Sequence, residues 1–396
     1  MDLSFSETLL VIGGLLALVA SLSGLMRGTV LSASVLSVSL GVLMAATDLV
    51  SVDPGAEPVR DLVTLALVLT LFSDGLFVER ELLARHWGPV ARAIVVAMPL
   101  TLGLLAVAAK LLFGELGWAE AFLIAAVLTP TDPVVTSAVV TSERVPSKIR
   151  HTLNLESGLN DGLALPFVLF FLVLAEPGGG AGHQALELLG EVGFGAVLGI
   201  ALGFGAGWLR HHLPAGGLAP RYEGIYAIGF GLAAYGLAEV SFGNGLIAAF
   251  VCGIALGAGA HEVPDAFIEF AENVSTIAQV MTFFVFGALI VGTGYHGDIW
   301  ALAAFIVFAL LVARPAAILA SFLRERLPGT QKAFVAWFGP KGVASMLFAL
   351  YVLDSQVGER ALIFAAAAFA ILASILAHGL TDTIGARWVE RRMQAR

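Results

Sequence analysis

Thirteen apolar stretches fill this 396-residue chain, each close to the roughly 20 residues a helix needs to cross a bilayer. They run approximately Glu7–Met26, Thr29–Thr47, Arg60–Val78, Pro89–Phe113, Trp118–Thr141, Thr152–Ala175, Leu186–Leu209, Tyr222–Val240, Asn244–Ala260, Glu272–Gly292, Ile299–Phe322, Gln331–Leu353 and Arg360–Ile384. The fold class that follows is an all-α polytopic membrane protein with about thirteen transmembrane helices. Composition agrees: 58% of residues are hydrophobic and 13% charged, and 45 glycines suit closely packed membrane helices. The single cysteine, Cys252, excludes a disulfide framework within the chain, and a net charge of −9 argues against a nucleic-acid partner. The stretch from Glu262 to Asn273 also fits an amphipathic helix lying on the surface, with Pro264, Phe267, Ile268 and Phe270 among acids.

Charge sets the expected orientation. With the N-terminus outside, the cytoplasmic loops hold 16 of the Lys and Arg residues and the opposite side 3 (Arg60, Lys110 and Arg360). This places the C-terminus in the cytoplasm and the protein in the inner (plasma) membrane. Met1-Asp2-Leu3-Ser4 lacks the basic region of a cleavable signal, so the first run is expected to stay as a span. The spans fill 1–396 as a single membrane transporter domain, and no soluble regulatory domain is expected. The Gly-rich stretch from Glu176 to Gly180 separates a first repeat of about 7–175 from a linking span at 186–209 and a second repeat of about 222–384.

Two of the spans carry helix breakers at their centres. Span five holds Leu128-Thr129-Pro130-Thr131-Asp132-Pro133, and span twelve holds Phe338-Gly339-Pro340-Lys341-Gly342. Proline removes a backbone donor and frees nearby carbonyls, which survive in lipid only where they line a cavity or bind an ion. Each is the fifth span of its six-span block. Interrupted helices in matching places point to two inverted six-helix repeats with a midplane site where the broken helices cross.

Carboxylates cluster beside these breaks. Span six contains Glu156-Ser157-Gly158-Leu159-Asn160-Asp161; Ser157 and Asp161, four residues apart, share a helix face. Asp132, Ser157 and Asp161 can present two carboxylates and a hydroxyl to one point, with Thr129 or Thr131 adding a carbonyl. Hard oxygen ligands of this kind suit sodium or potassium rather than a soft transition metal. The same carboxylates can bind protons instead, so competition at one site is sufficient for exchange. The alternative for Asp132 and Asp161 is a structural ion pair, and for Ser157 simple helix packing. Arg314, mid-span, needs an acid partner, and Glu156 suits it. Lys341 can serve the freed carbonyls of span five or offset the partial charges of the helix ends. Asp74, beside Ser73, either lines a cytoplasmic funnel or is a solvated helix-end acid. The eight histidines show no metal-ligand spacing.

These motifs resemble the sodium/proton antiporters of the monovalent cation:proton antiporter superfamily, in the branch of the NhaP proteins and the animal sodium/proton exchangers. The likeness rests on Thr129-Pro130-Thr131-Asp132-Pro133, the Glu156-to-Asp161 motif, Gly245-Leu246-Ile247-Ala248-Ala249-Phe250, Phe284-Val285-Phe286-Gly287-Ala288, Arg314-Pro315, and the segment from Trp337 to Ser345. The resemblance implies a thirteen-span homodimer in which a mobile core moves against a dimerisation domain. It implies cation ligands at Asp132, Ser157, Asp161 and the Thr131 carbonyl, and a Glu156–Arg314 ion pair. Asn160 before Asp161 looks like the electroneutral branch, one cation for one proton. Two departures stand out: Ser73 matches a position where many members carry glutamate, and Lys341 replaces a common arginine.

The expectation is therefore secondary active sodium/proton antiport by alternating access, with the cation and proton as substrates, no cofactor and no enzymatic activity. Potassium/proton exchange is the near alternative. A cation channel is the alternative from another class, and paired broken helices argue against it.

Overall fold

The computed structural model describes residues 5–26, 33–53, 56–82, 87–132, 145–177, 181–214, 218–259, 265–292 and 297–394, and among them every regular element is a helix. In chain order these are α1 (Phe5–Met26), α2 (Ala33–Ala46), α3 (Glu57–Leu82), α4 (Trp87–Arg92), α5 (Met98–Leu112), α6 (Trp118–Val127), α7 (Ser147–Ala175), α8 (Ala181–His212), α9 (Glu223–Glu239), α10 (Gly245–Gly259), α11 (Asp265–Gly292), α12 (Ile299–Phe308), α13 (Arg314–Ser321), α14 (Gly329–Trp337), α15 (Val343–Asp354) and α16 (Arg360–Gln394).

Every predicted run overlaps at least one of these helices. Among the described residues, six continuous segments are long and apolar enough to cross a membrane by length and composition: Gly88–Leu112, Ser147–Ala175, Leu186–His212, Asn273–Gly292, Ile299–Ser321 and Arg360–Thr381. Their outer faces carry exposed apolar side chains such as Val95, Leu111, Val197 and Val307, as lipid contact requires. The chain is a multi-pass membrane protein. The stretch proposed as a surface helix behaves differently from that alternative, because from Asp265 onward it runs unbroken to Gly292 as α11. Pro133 and the predicted second half of span five lie outside the described residues.

Two spans change pitch midway. A π-helical turn at Ala93–Ala97 joins α4 to α5, and another at Ala309–Ala313 joins α12 to α13. Each ends just before a proline, Pro99 and Pro315. A proline ring clashes with the carbonyl four residues back, and a wider turn there relieves the clash without ending the helix. The two features are reciprocal in space: α13 packs on the first π turn, and α5 packs on the second.

Close helix contacts rest on glycine. Gly195, Gly199 and Gly203 form a stripe along α8, where an added Cβ would come within 2.5 Å of the carbonyl oxygens of Asn244, Ala248 and Cys252 in turn. On its other side α10 meets α3. There Gly253 faces the Phe72 carbonyl, and Gly75 faces the Phe250 carbonyl, each too closely for any Cβ. α10 is thus clasped between α3 and α8. The largest buried apolar cluster joins α3, α5, α6, α7, α15 and α16 around the two interrupted helices.

Candidate functional site: a crossing of two broken helices

The crossing is built from two backbones that stop being helical in the middle of the protein. α6 ends at Val127, the Leu128 and Thr129 amides close its last turn on the Ile124 and Ala126 carbonyls, and the chain from Pro130 to Asp132 is no longer helical. α14 ends at Trp337, and α15 begins only at Val343. Each break satisfies the other. The Asp132 amide donates to the Pro340 carbonyl at 2.8 Å, and the Asp132 Oδ2 accepts from the Val343 amide at 3.2 Å. The carboxylate thereby caps the N-terminus of α15, where the helix dipole favours an anion. Lys341 Nζ reaches back to the carbonyls of Pro130 and Thr129, at 3.2 and 3.4 Å. Of the two readings of Lys341, the contacts match service to the freed carbonyls of the first break.

Glycine makes the crossing possible at two points. A Cβ at Gly342 would overlap the Asp132 carboxyl group, and a Cβ at Gly339 would overlap the Arg314 guanidinium.

α7 runs alongside and supplies the next set of groups. Asn160 holds the first break through its amide: its Oδ1 accepts from the Thr131 backbone N–H at 3.2 Å, and its Nδ2 donates to Thr131 Oγ1 at 2.8 Å. The Thr131 hydroxyl also meets Ser157 Oγ at 3.0 Å. Asn160 therefore acts as a two-point clamp on Thr131. Thr129 is engaged differently from Thr131, since its hydroxyl bonds the Ala125 carbonyl and its own carbonyl faces Lys341.

Asp161 stands one residue beyond Asn160 and is 4% exposed, yet its Oδ1 has no hydrogen-bond partner among the described residues. Asp74 on α3 lies within electrostatic reach of both Asp132 and Asp161. The structure thus brings Asp74, one of the two readings of which was a solvated helix end, to the acidic cluster; Ser73 beside it is buried. Phe250 of α10 packs against both helices that carry Asp74 and Asp161. Its ring rests on Gly162, where a Cβ would lie 2.5 Å away, and its carbonyl abuts Gly75.

The second charged pair is separate. Glu156, on a different face of α7, receives both ends of the Arg314 guanidinium at 2.6 and 2.9 Å. Both residues are buried, and Arg314 also donates to the Phe338 carbonyl at 3.3 Å. This ion pair ties α7 to the start of α13 and to the second break.

Three groups at the site carried little signal in sequence. Ser374 and His378 on α16 reach the second break, and Phe250 reaches Gly162. The sequence hint for the first two was a polar pair four residues apart inside an apolar run. Phe250 belonged to a recognised motif without an assigned role.

Among the described residues no group of three His, Cys, Asp or Glu side chains converges as a metal site would. The oxygen set is mixed: carboxylates at Asp132 and Asp161, hydroxyls at Thr131 and Ser157. Oxygens of these kinds are hard donors.

Comparison with known proteins agrees with this geometry. A family model described as sodium/hydrogen exchanger, transmembrane, matches residues 14–387. A K(+)/H(+) antiporter NhaP of Alkalimonas amylolytica is 25% identical over 336 residues, 83% of this chain and 57% of that protein. A probable Na(+)/H(+) antiporter of Schizosaccharomyces pombe is 28% identical over 308 residues, 72% of this chain and 40% of that protein. The chain spans a little over half the length of the first of these relatives. The solved structure of the sodium proton antiporter MjNhaP1 from Methanocaldococcus jannaschii at pH 8 has a TM-score of 0.77 at 17% identity, covering 98% of this chain and all of that one. An electron-microscopy structure of the same protein has a TM-score of 0.81 at 17% identity, covering 100% of this chain and 99% of that one. These two show a shared fold.

Proposed function

The chain belongs to the sodium/hydrogen exchanger family, and from that membership we propose that it is a secondary active antiporter exchanging a monovalent cation, sodium in the first place, for a proton. The observation that carries this reading is Asp161. A carboxylate oxygen buried without a hydrogen-bond partner among the described residues, close to Asp132 and Asp74, is too costly to leave bare. Either a proton or a cation has to neutralise it. Two neutralising species competing for one carboxylate, at a site offered alternately to the two sides, constitute exchange.

In this reading Asp161 and Asp132 supply charge to the cation, and Ser157 with Thr131 supplies neutral oxygens. Asn160 holds the Thr131 backbone in its ligating position, so one of two adjacent polar residues stays uncharged through the cycle. That favours electroneutral exchange, one cation for one proton. Lys341 is the donor for the carbonyls that the cation does not use.

The thirteen-span count and the two inverted repeats belong to the same proposal. Their support is the reciprocal pair of π turns and the two mutually satisfied breaks. We assign the spans to one transporter domain, with Asp74 and Ser73 at a cytoplasmic funnel, the N-terminus outside and the C-terminus in the cytoplasm of a plasma membrane. A homodimer with a core moving against a dimerisation domain completes the reading.

Potassium is the second candidate cation, because one relative is a K(+)/H(+) antiporter. Alkali-ion choice depends on cavity size and coordination number rather than ligand type. The test is a cation panel on acid-loaded proteoliposomes. Sodium, potassium and lithium are added in turn at several pH values while lumenal pH is followed by fluorescence. Saturable alkalinisation by one of them supports antiport, and single-channel currents in a planar bilayer would overturn it.

A further inference from the structure

A continuous α-helix through span twelve would bond the Lys341 N–H to the Trp337 carbonyl, four residues back. The break separates these two groups, and both are instead met by one side-chain pair on α16. The Lys341 N–H donates to Ser374 Oγ at 2.9 Å. Ser374 Oγ lies 3.2 Å from His378 Nδ1, and His378 Nε2 lies 2.9 Å from the Trp337 carbonyl. Ser374 and His378 are four residues apart on one helix, which puts both on the face toward the break. Both are buried, at 0% and 2% exposure.

The donor count fixes the direction of this chain. A backbone amide only donates, so the Ser374 oxygen accepts from Lys341. Its single hydrogen is then free for His378 Nδ1, which accepts it when that nitrogen is bare. The Trp337 carbonyl only accepts, so Nε2 has to carry the hydrogen. Nδ1 also lies 2.8 Å from the Ser374 carbonyl, the contact that an Nδ1–H tautomer would use. Each neutral tautomer turns one lone pair to a carbonyl: Nδ1–H leaves the Trp337 carbonyl without its donor, whereas Nε2–H supplies that donor, lets the Ser374 hydroxyl donate to Nδ1, and leaves the Ser374 carbonyl facing a bare nitrogen.

We propose that Ser374 and His378 form a side-chain relay that replaces one of the backbone hydrogen bonds lost at the break, holds span twelve open there, and so positions Lys341. With the Lys341 backbone fixed, its ammonium reaches the Thr129 and Pro130 carbonyls and leaves the Asp132 and Asp161 oxygens to the transported ion. Ser374 and His378 are positioning residues; neither touches the cation. The effect on transport rests on the antiport reading, whereas the relay itself does not.

The experiment therefore has two arms, both on the full chain in proteoliposomes. Solid-state NMR of ¹⁵N-histidine protein, with the His378 signal identified by difference against His378→Gln or Ser374→Ala, reads the tautomer directly. A neutral Nε2–H imidazole whose Nδ1 resonance moves in Ser374→Ala is expected; an Nδ1–H tautomer or an imidazolium overturns the relay. In flux assays Ser374→Ala and His378→Gln each raise the half-saturating cation concentration about three- to tenfold, the size expected for one lost buried hydrogen bond. Ser374→Thr keeps the hydroxyl and the wild-type value. Because the two residues act in series, the double variant is no worse than the poorer single one. Thr381→Val removes the neighbouring 3.0 Å bond from the Trp337 ring and leaves the affinity unchanged. Additive losses, or an equal loss in Thr381→Val, overturn the positioning role. Wild-type vesicles without cation-driven flux defeat the antiport reading alone, and the tautomer still decides the relay.

Discussion

Arg314 meets Glu156 with both ends of its guanidinium, at 2.6 and 2.9 Å, across 158 residues of sequence. The pair is buried and joins α7 to the π-distorted span that starts α13. Removing one partner leaves the other charge stranded, which costs about 3–5 kcal/mol, whereas replacing both with apolar groups costs far less. Glu156→Ala is therefore expected to lower the melting temperature in detergent well below that of the double replacement Glu156→Leu with Arg314→Met. A single variant that melts like wild type would remove the structural role of the pair.

Asp161→Asn should fold, elute as a sharp species on size exclusion, and fail to exchange, because a neutral amide cannot alternate between a proton and a cation. In the wild type the proton occupies the carboxylates at low pH, so the half-saturating cation concentration rises as pH falls. Dequenching traces over a pH series check both statements, and wild-type rates in the variant would sink the site.

Lys341→Met should leave the Thr129 and Pro130 carbonyls without their donor. A buried polar group stripped of its partner costs about 1–3 kcal/mol, so lower thermal stability and weaker cation affinity are expected together. Lys341→Arg keeps the charge and should restore most of the stability. Equal melting temperatures for Lys341→Met and wild type would contradict the contact.

Gly342→Ala drives a methyl group into the Asp132 carboxyl group, so the break has to widen or Asp132 has to leave the α15 amide. Loss of exchange with a marked drop in stability is expected. Gly13→Ala, where nothing lies within 4 Å, serves as the comparison and should behave as wild type. Purified yield and flux measured side by side decide the matter.

Much of this arrangement was readable from the residues themselves. The apolar runs have to be helices because lipid offers the backbone no partner, and the clustered prolines at 130 and 340 mark where those helices stop. Glu156 and Arg314 were pairable because a buried charge demands an opposite one. The remaining features depend on contacts that no local pattern encodes. The π turns follow from Pro99 and Pro315, but whether a proline kinks, ends or widens a helix is decided by what packs against it, here α13 and α5. Asp74 lies near the acids of the crossing because α3 packs directly on α7, a contact no local pattern encodes. His378 was a lone histidine in an apolar stretch, and its partner, the Trp337 carbonyl, is a backbone group exposed only by a break elsewhere.

The mutual satisfaction of the two breaks has a consequence for how the protein is made. Pro130 and Lys341 are 211 residues apart, as are Asp132 and Val343. A ribosome therefore delivers the first broken span long before the groups that complete it exist. During that interval the Thr129 and Pro130 carbonyls and the Asp132 side chain have to be sheltered by water or by the insertion machinery. A nascent chain arrested before residue 340 should remain accessible to an aqueous carboxyl reagent at Asp132, and that access should close once α15 has been threaded into the bilayer.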